Sequence, residues 1–146
     1  ESFKERTGQL REIQFEKRYG LKKNEFLVTG DPIQLQMVFD NLLSNAFKYT
    51  SDKGKISIVS TLNSKGFSVD IQDNGVGIEK DALKKIFDKF YRAEGTARLR
   101  VQGSGLGLFI ARSVVNEHGG TLTAESEGPE KGALFHVEFQ GKAASR

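Results

Sequence analysis

Asn41, Asn45 and Lys48 recur at steps of four and three, so on a helix they share one side, with Tyr49 beside them. Two carboxamides, an ammonium and an aromatic ring on one side of a largely apolar helix suit a metal-bound nucleotide. The same residues also suit an ordinary solvated face. A second candidate is Asp73-Asn74-Gly75-Val76-Gly77-Ile78. Phe67, Val69 and Ile71 precede it in a strand pattern, and period two puts Asp73 on their apolar side. A carboxylate there is costly unless a buried donor meets it, and the exocyclic amino group of adenine is such a donor. Gly75 and Gly77 would let the chain turn beside a flat base; the alternative is plain turn chemistry after a strand. The third stretch, Gly103-Ser104-Gly105-Leu106-Gly107-Leu108, runs straight into a helix, where unpaired N–H groups and the helix dipole favour phosphate. No Gly-Lys-Ser/Thr follows and no strand precedes it, so it is neither a Walker loop nor a dinucleotide fingerprint. Flexible loop or close helix packing is its alternative.

The elements that must position these residues are legible from period and punctuation. Asp31-Pro32-Ile33-Gln34 reads as a capping box with proline at the first helical position. Leu35, Val38, Leu42 and Ala46 then form a stripe that Phe39, Leu43 and Phe47 widen. Before this helix, residues 11–19 alternate as a half-buried strand and residues 26–29 form a second short strand. After it, Ser51–Gly54 is a turn cluster, and residues 55–62 and 66–73 form a hairpin pair. A short helix over 79–87 is followed by a long loop from about 88 to 103, of the length that lids have. A helix from 104 to 118 stops at Gly119-Gly120, and strands over 121–126 and 133–139 close the chain. Residues 1–10 read as the end of a charged helix and residues 141–146 as a disordered tail. Antiparallel strand neighbours with helices to one side make an α+β two-layer sandwich.

Composition narrows the classes. With 146 residues, 28% of them charged and 37% hydrophobic, the chain has the length and balance of one globular domain with a proper core. No apolar run approaches the roughly 18 residues a membrane span needs, and there is no signal-peptide pattern. Cysteine is absent, which removes disulfides and thiolate metal sites and fits a reducing compartment. The net charge of +3 suits an anionic ligand, but the basic residues are interspersed with acids rather than gathered in the stripe that nucleic acid requires. Sixteen glycines stand against two prolines, and many of them gather in the second and third stretches above.

Taken together, the motifs resemble the four boxes of sensor histidine kinases. Asn41–Thr50 resembles the N box, Asp73–Gly77 the G1 box, Phe87-Asp88-Lys89-Phe90-Tyr91-Arg92 the F box and Gly103–Leu108 the G2 box. Asn116-Glu117-His118-Gly119-Gly120 is similar to the family's helix exit. The four boxes stand in the family's order within residues 11–140. The resemblance implies the ATP-binding catalytic domain of a histidine kinase. Its fold is the Bergerat (GHKL) sandwich shared with gyrase, mismatch-repair ATPases and heat-shock chaperones: a mixed sheet of about five strands with about three helices on one face.

The same resemblance implies roles. Asn45 coordinates Mg²⁺, with Asn41 near the metal and phosphates; Lys48 neutralises phosphate charge and Tyr49 packs on adenine or ribose. Asp73 accepts from the adenine amino group, while Gly75, Gly77 and Ile78 shape the base pocket. Phe87 and Phe90 anchor the lid, and Tyr91 and Arg92 reach toward phosphate. Gly103, Gly105, Leu106, Gly107 and Leu108 line the phosphate cradle. Asn41, Lys48 and Arg92 are the residues assigned to the transfer itself. ATP with Mg²⁺ is the implied cofactor and ADP the product. The implied partner is a dimerisation domain carrying the phosphoacceptor histidine, with a response-regulator receiver domain served indirectly. Neither nucleic-acid binding nor membrane insertion is expected of a domain that is cytoplasmic and monomeric alone. Its parent protein is expected to be either soluble or membrane-anchored.

Several positions refine this picture. Hydrolysing relatives place a glutamate general base four residues before the metal-binding asparagine; here that position is Asn41, whose amide takes no proton from water at neutral pH. Neither His118 nor His136 has the setting of a phosphoacceptor: the first is expected to cap a helix end, the second to face outward from a strand. Autophosphorylation of the chain alone is therefore not expected. Gly132-Ala133 stands where the family has glycine with a hydroxyl residue, so one adenine contact is lost or rerouted. Arg98 and Arg100 read either as phosphate contacts or as solvated loop charges. The alternatives to a histidine-kinase domain are a stand-alone GHKL switch of the anti-sigma kinase type and a non-catalytic nucleotide-binding interaction domain.

Overall fold

The computed structural model describes residues 12–20, 26–64, 66–92 and 105–143. Its elements in chain order are β1 (Gln14–Tyr19), β2 (Phe26–Leu27), α1 (Pro32–Tyr49), β3 (Lys55–Asn63), β4 (Gly66–Asp73), α2 (Lys80–Leu83), α3 (Gly107–Glu117), β5 (Gly120–Glu125), β6 (Ala133–Gln140) and β7 (Lys142–Ala143). Five strands form one mixed sheet in the order β1-β3-β4-β6-β5. β3, β4, β6 and β5 pair antiparallel, whereas β1 runs parallel to β3. The chain between β1 and β3 includes α1, and a crossover of this kind is what a parallel pair requires.

The cap of α1 shows the Asp31 half of the expected capping box, while the Asp31 N–H goes to His118 Nε2 instead of Gln34. Asp31 is extended and its Oδ1 accepts from the N–H groups of Ile33 (2.9 Å) and Gln34 (3.3 Å), with Pro32 at the first helical position. At the other end Thr50 turns extended; its buried hydroxyl donates to the Ala46 carbonyl at 2.6 Å. Between these ends Val38, Leu42 and Ala46 are almost wholly excluded from water. They meet Ala111, Val114 and Val115 of α3 and the inward row Ile56, Ile71, Leu122, Val137 and Phe139 of the sheet. Burial of this apolar face is what stabilises α1 and α3, because helices of 18 and 11 residues gain little from propensity alone.

Several expectations are corrected. The helix expected over 79–87 is four residues long; beyond Leu83 the chain tightens, with the Lys85 N–H on the Ala82 carbonyl and the Asp88 N–H on the Lys85 carbonyl. It has no side-chain cap at Glu79, and of residues 79–87 only Ala82 and Ile86 are buried, with Leu83 and Phe87 half-buried against the core. The helix expected from 104 begins at Gly107. The first strand is less covered than its alternation suggests: Phe15 is 47% and Tyr19 65% exposed, because β1 is an edge strand. The tail expected from 141 instead contributes β7, which pairs antiparallel with β2 (Phe26 opposite Ala143). Among the described residues no helix is long and apolar enough to cross a membrane.

Candidate functional site

Asp73 ends β4 on the inward face, opposite Ala133 of β6, and is 5% exposed. Burial pushes its carboxyl above the usual carboxylate range, and hydrogen bonds from the backbone N–H groups of Gly75 and Ala133 pull it back. Gly75 donates to Oδ1 at 2.8 Å. A carboxylate has room for about four donors. Two backbone N–H groups therefore leave this one able to accept more, which is the condition for a buried carboxylate that meets a ligand amine.

The turn after Asp73 is held from three sides. At the β3 side, Asn74 takes the Lys55 N–H on Oδ1 (2.7 Å) and donates its own N–H to the Lys55 carbonyl (3.2 Å). From α1, the Tyr49 carbonyl accepts from Val76 at 3.1 Å, so close that a Cβ on Gly75 would collide with it. From the β5–β6 loop, Gly132 donates to the Gly75 carbonyl (3.1 Å) and Glu130 to the Val76 carbonyl (2.7 Å). Gly77 has φ +71°, and a Cβ there would strike the Gly128 carbonyl. Both glycines of the turn are thus fixed by close backbone approach, and Gly77 by its conformation as well.

The opposite wall is the start of α3. Leu106 occupies its N-cap position and its apolar side chain makes no cap hydrogen bond, so among the described residues no side chain caps the first-turn N–H groups, an arrangement that suits an anion. Asn41 of α1 faces it: a Cβ on Gly107 would lie 3.4 Å from Asn41 Oδ1. Gly105, at φ +72°, presses on the backbone of Phe90, whose N–H donates to the Gly105 carbonyl at 3.0 Å. Tyr49, the last residue of α1, adjoins the Asp73–Ile78 turn through its carbonyl. Burial raises its phenol pKa, and the positive charge of Arg92 opposes that rise, which places Arg92 within electrostatic reach of Tyr49.

A family model described as histidine kinase-, DNA gyrase B- and HSP90-like ATPase matches residues 30–143. The chain belongs to this ATPase family. It is 40% identical over 115 residues to the sensor protein VanS of Enterococcus faecium, an alignment covering 79% of this chain and 29% of VanS. Among solved structures it resembles the mycobacterial sensor histidine kinase MprB, with a TM-score of 0.76 at 29% identity, covering 90% of this chain and 83% of that one. The catalytic domain of histidine kinase ThkA gives a TM-score of 0.74 at 28% identity, covering 88% and 80% of the two chains. The chain spans less than a third of the length of VanS (29%) and of the curated relative RppB (26%).

In the frame of this ATPase family, the structure brings together most of the residues singled out from sequence. Asn41, Asn45, Lys48 and Tyr49 are all half-buried on the last turns of α1. Asp73, Gly75, Gly77 and the half-buried Ile78 form one wall; Gly105, Leu106, Gly107 and Leu108 belong to the other. Tyr91 packs against the core, while Arg92 is exposed. Gly103, Arg98, Arg100 and most of the loop expected as a lid (93–104) lie outside the described residues. One role is corrected. Phe87 does anchor this segment, edge-on to Phe135 at 6.4 Å and beneath the Arg112 guanidinium, but Phe90 is 66% exposed. Its φ is positive, 64°, and the Lys89 ammonium lies 5.5 Å from its centroid.

His118 and His136 both have structural partners. His118 donates from Nδ1 to the Val114 carbonyl (2.7 Å) and accepts the Asp31 N–H on Nε2 (3.0 Å), so it ties the end of α3 to the cap of α1. His136 lies on the open face of the sheet, with Nδ1 2.5 Å from Asp70 Oδ1 and Nε2 3.5 Å from Glu138 Oε2. Burial alone would lower its pKa; the bonds and charges of Asp70 and then Glu138 outweigh this and raise it.

Proposed function

We propose that the chain is the ATP-binding catalytic domain of a sensor histidine kinase, which binds Mg-ATP and presents the γ-phosphate to a histidine on a separate dimerisation domain. The observation that carries this is the pairing of Asp73, buried with acceptor capacity to spare, with an uncapped helix start that Asn41 faces. The first suits the adenine amino group and the second suits phosphate. The likeness to VanS, MprB and ThkA supports the kinase branch of the family.

In this reading Asp73 orients the base, Gly75, Gly77 and Ile78 shape its pocket, and Tyr49 packs against adenine or ribose. Asn45, with Asn41 beside it, offers amide oxygen to Mg²⁺, a cation that keeps several waters and takes few protein ligands. Lys48 and Arg92 neutralise phosphate charge, and the first turn of α3 donates N–H groups. The reaction moves the γ-phosphoryl group from ADP oxygen to an imidazole nitrogen, with positioning and charge neutralisation as the main sources of rate. Asn41 supplies no general base, so water is not activated and the nucleotide is held for transfer. The partner dimerisation domain, a receiver domain downstream and a cytoplasmic position belong to this proposal.

Calorimetry with ATP and Mg²⁺ tests it. The domain is expected to bind Mg-ATP and to hydrolyse it very slowly, yet to place acid-labile phosphate on an added dimerisation domain. Rapid steady-state hydrolysis by the isolated chain, or stable label on His118 or His136, would contradict it.

A further inference from the structure

The β5–β6 loop opens at Ser126, a residue to which the site roles above assign nothing. Its side chain has a hydroxyl at the centre of a four-way junction. The hydroxyl donates to the Gly132 carbonyl at 2.6 Å and accepts the N–H groups of Ile78 (3.0 Å) and Gly128 (3.3 Å). The Gly128 carbonyl lies at 3.3 Å, but the single hydroxyl proton goes to the shorter partner. One donation and two acceptances use the full capacity of a serine hydroxyl.

The three partners matter because each leads to the base pocket. Ile78 closes the turn that begins at Asp73. Gly132 donates to the Gly75 carbonyl and packs so tightly on the Asp73 carbonyl that a Cβ there would collide with it. Gly128 is the backbone against which Gly77 rests. The next residue after Gly132 is Ala133, whose N–H reaches the Asp73 carboxylate. Ser126 is therefore bonded to both backbone segments that aim the Asp73 side chain, one residue from Ala133 and three from Gly75.

We propose that Ser126 is a positioning residue for base recognition: its hydroxyl sets the distance between the Asp73–Ile78 turn and the Gly128–Ala133 loop and so fixes where the Asp73 carboxylate can meet a purine amino group. This deepens the ATP-site reading above and rests on it. A methyl in place of the hydroxyl leaves the Ile78 N–H and the Gly132 carbonyl without their partner, and the turn relaxes away from the loop. Threonine keeps the hydroxyl on the half-buried side chain.

The test is calorimetric titration of ATP with Mg²⁺ into the wild-type domain and the Ser126→Ala and Ser126→Thr variants. It is run at 10 °C, after circular dichroism has shown each to be folded. Ser126→Ala is expected to weaken ATP binding by about five- to tenfold, the scale of one or two lost hydrogen bonds, and Ser126→Thr to restore it. A melting temperature that falls while the Ala variant binds ATP as tightly as wild type would show a purely structural serine and overturn the proposal. Should Ser126→Ala not fold, hydrogen exchange of the wild-type domain decides: the Ile78 amide is expected to be protected before ATP is added, and rapid exchange there overturns the proposal. Wild-type protein that fails to bind ATP would overturn the ATP-site reading instead, a separate result.

Discussion

The two walls of the cleft are built differently. The turn from Asp73 to Ile78 is tied to β3, to α1 and to the β5–β6 loop by backbone and serine hydrogen bonds. Among the described residues, the wall at Gly105–Gly107 meets the Phe90 backbone through one backbone hydrogen bond and a close approach at Gly105, and it faces the side chain of Asn41 across an ordinary contact distance. The first wall suits recognition of a rigid ring by a carboxylate, which requires a fixed acceptor direction. The second presents N–H groups to phosphate, a point-like charge that tolerates a wider range of approach. A binding site can therefore concentrate its rigidity where directionality is needed.

The largest effect that would sharpen this contrast is at Asp73. Asp73→Asn replaces one acceptor oxygen by an NH₂ donor facing the ligand amine, and ATP affinity is expected to fall by about 10- to 100-fold, the scale of a hydrogen bond to a charged group. Stability should move the other way. Because burial raises the Asp73 pKa, ionisation is less favourable in the folded state than in the unfolded chain, so this acid lowers stability as pH rises through its folded pKa. Removing the charge is expected to leave the melting temperature unchanged or higher at pH 7, as a thermal scan without ligand will show.

A paired substitution tests the walls against each other. Gly77→Ala and Gly105→Ala each force alanine into positive φ against backbone (φ +71° and +72°). The first, inside the tightly tied turn, is expected to cost about 1–3 kcal/mol of stability. The second should be the milder in a denaturant melt and weaken ATP binding without a comparable loss of stability. Equal destabilisation by both would erase the distinction between the walls.

The smallest effect lies on the far side of the sheet and serves as a control. The raised pKa of His136 means that its pairing with Asp70 and Glu138 stabilises the fold fully below about pH 6.5, the unfolded value, and is lost as pH rises through the folded value above it. The pair is about one-third exposed, so its contribution is small. His136→Gln is expected to lower the melting temperature by about 1–3 °C at pH 6, with no difference at alkaline pH and no change in ATP affinity.

Much of this was legible because local signals and tertiary demands agree. The Asp31–Pro32 cap follows from a side-chain acceptor and proline's fixed φ, while the Val38–Leu42–Ala46 stripe and the alternation that turns Asp73 inward follow from periods of 3.6 and 2. What stayed hidden was contact across sequence. Ser126 and Ile78 are 48 positions apart, and a serine before a turn carries no local sign of the backbone it will meet. The pairing of β2 with β7 involves two residues on each side, too few to show a period. Phe90 is exposed where an aromatic residue suggests burial, and a positive φ cannot be seen in a side-chain pattern.

His118 has a mechanical consequence. α3 has eleven residues and is about 16 Å long. The imidazole clamps one end of this rod to the amide of Asp31, and the other end carries Gly107 toward Asn41. A tilt of about 10° about the clamped end would swing Gly107 by roughly 3 Å, a whole hydrogen-bond length. A single ring thus acts as the pivot stop of a lever, and the gauge of the cleft mouth is set at the opposite end of the helix.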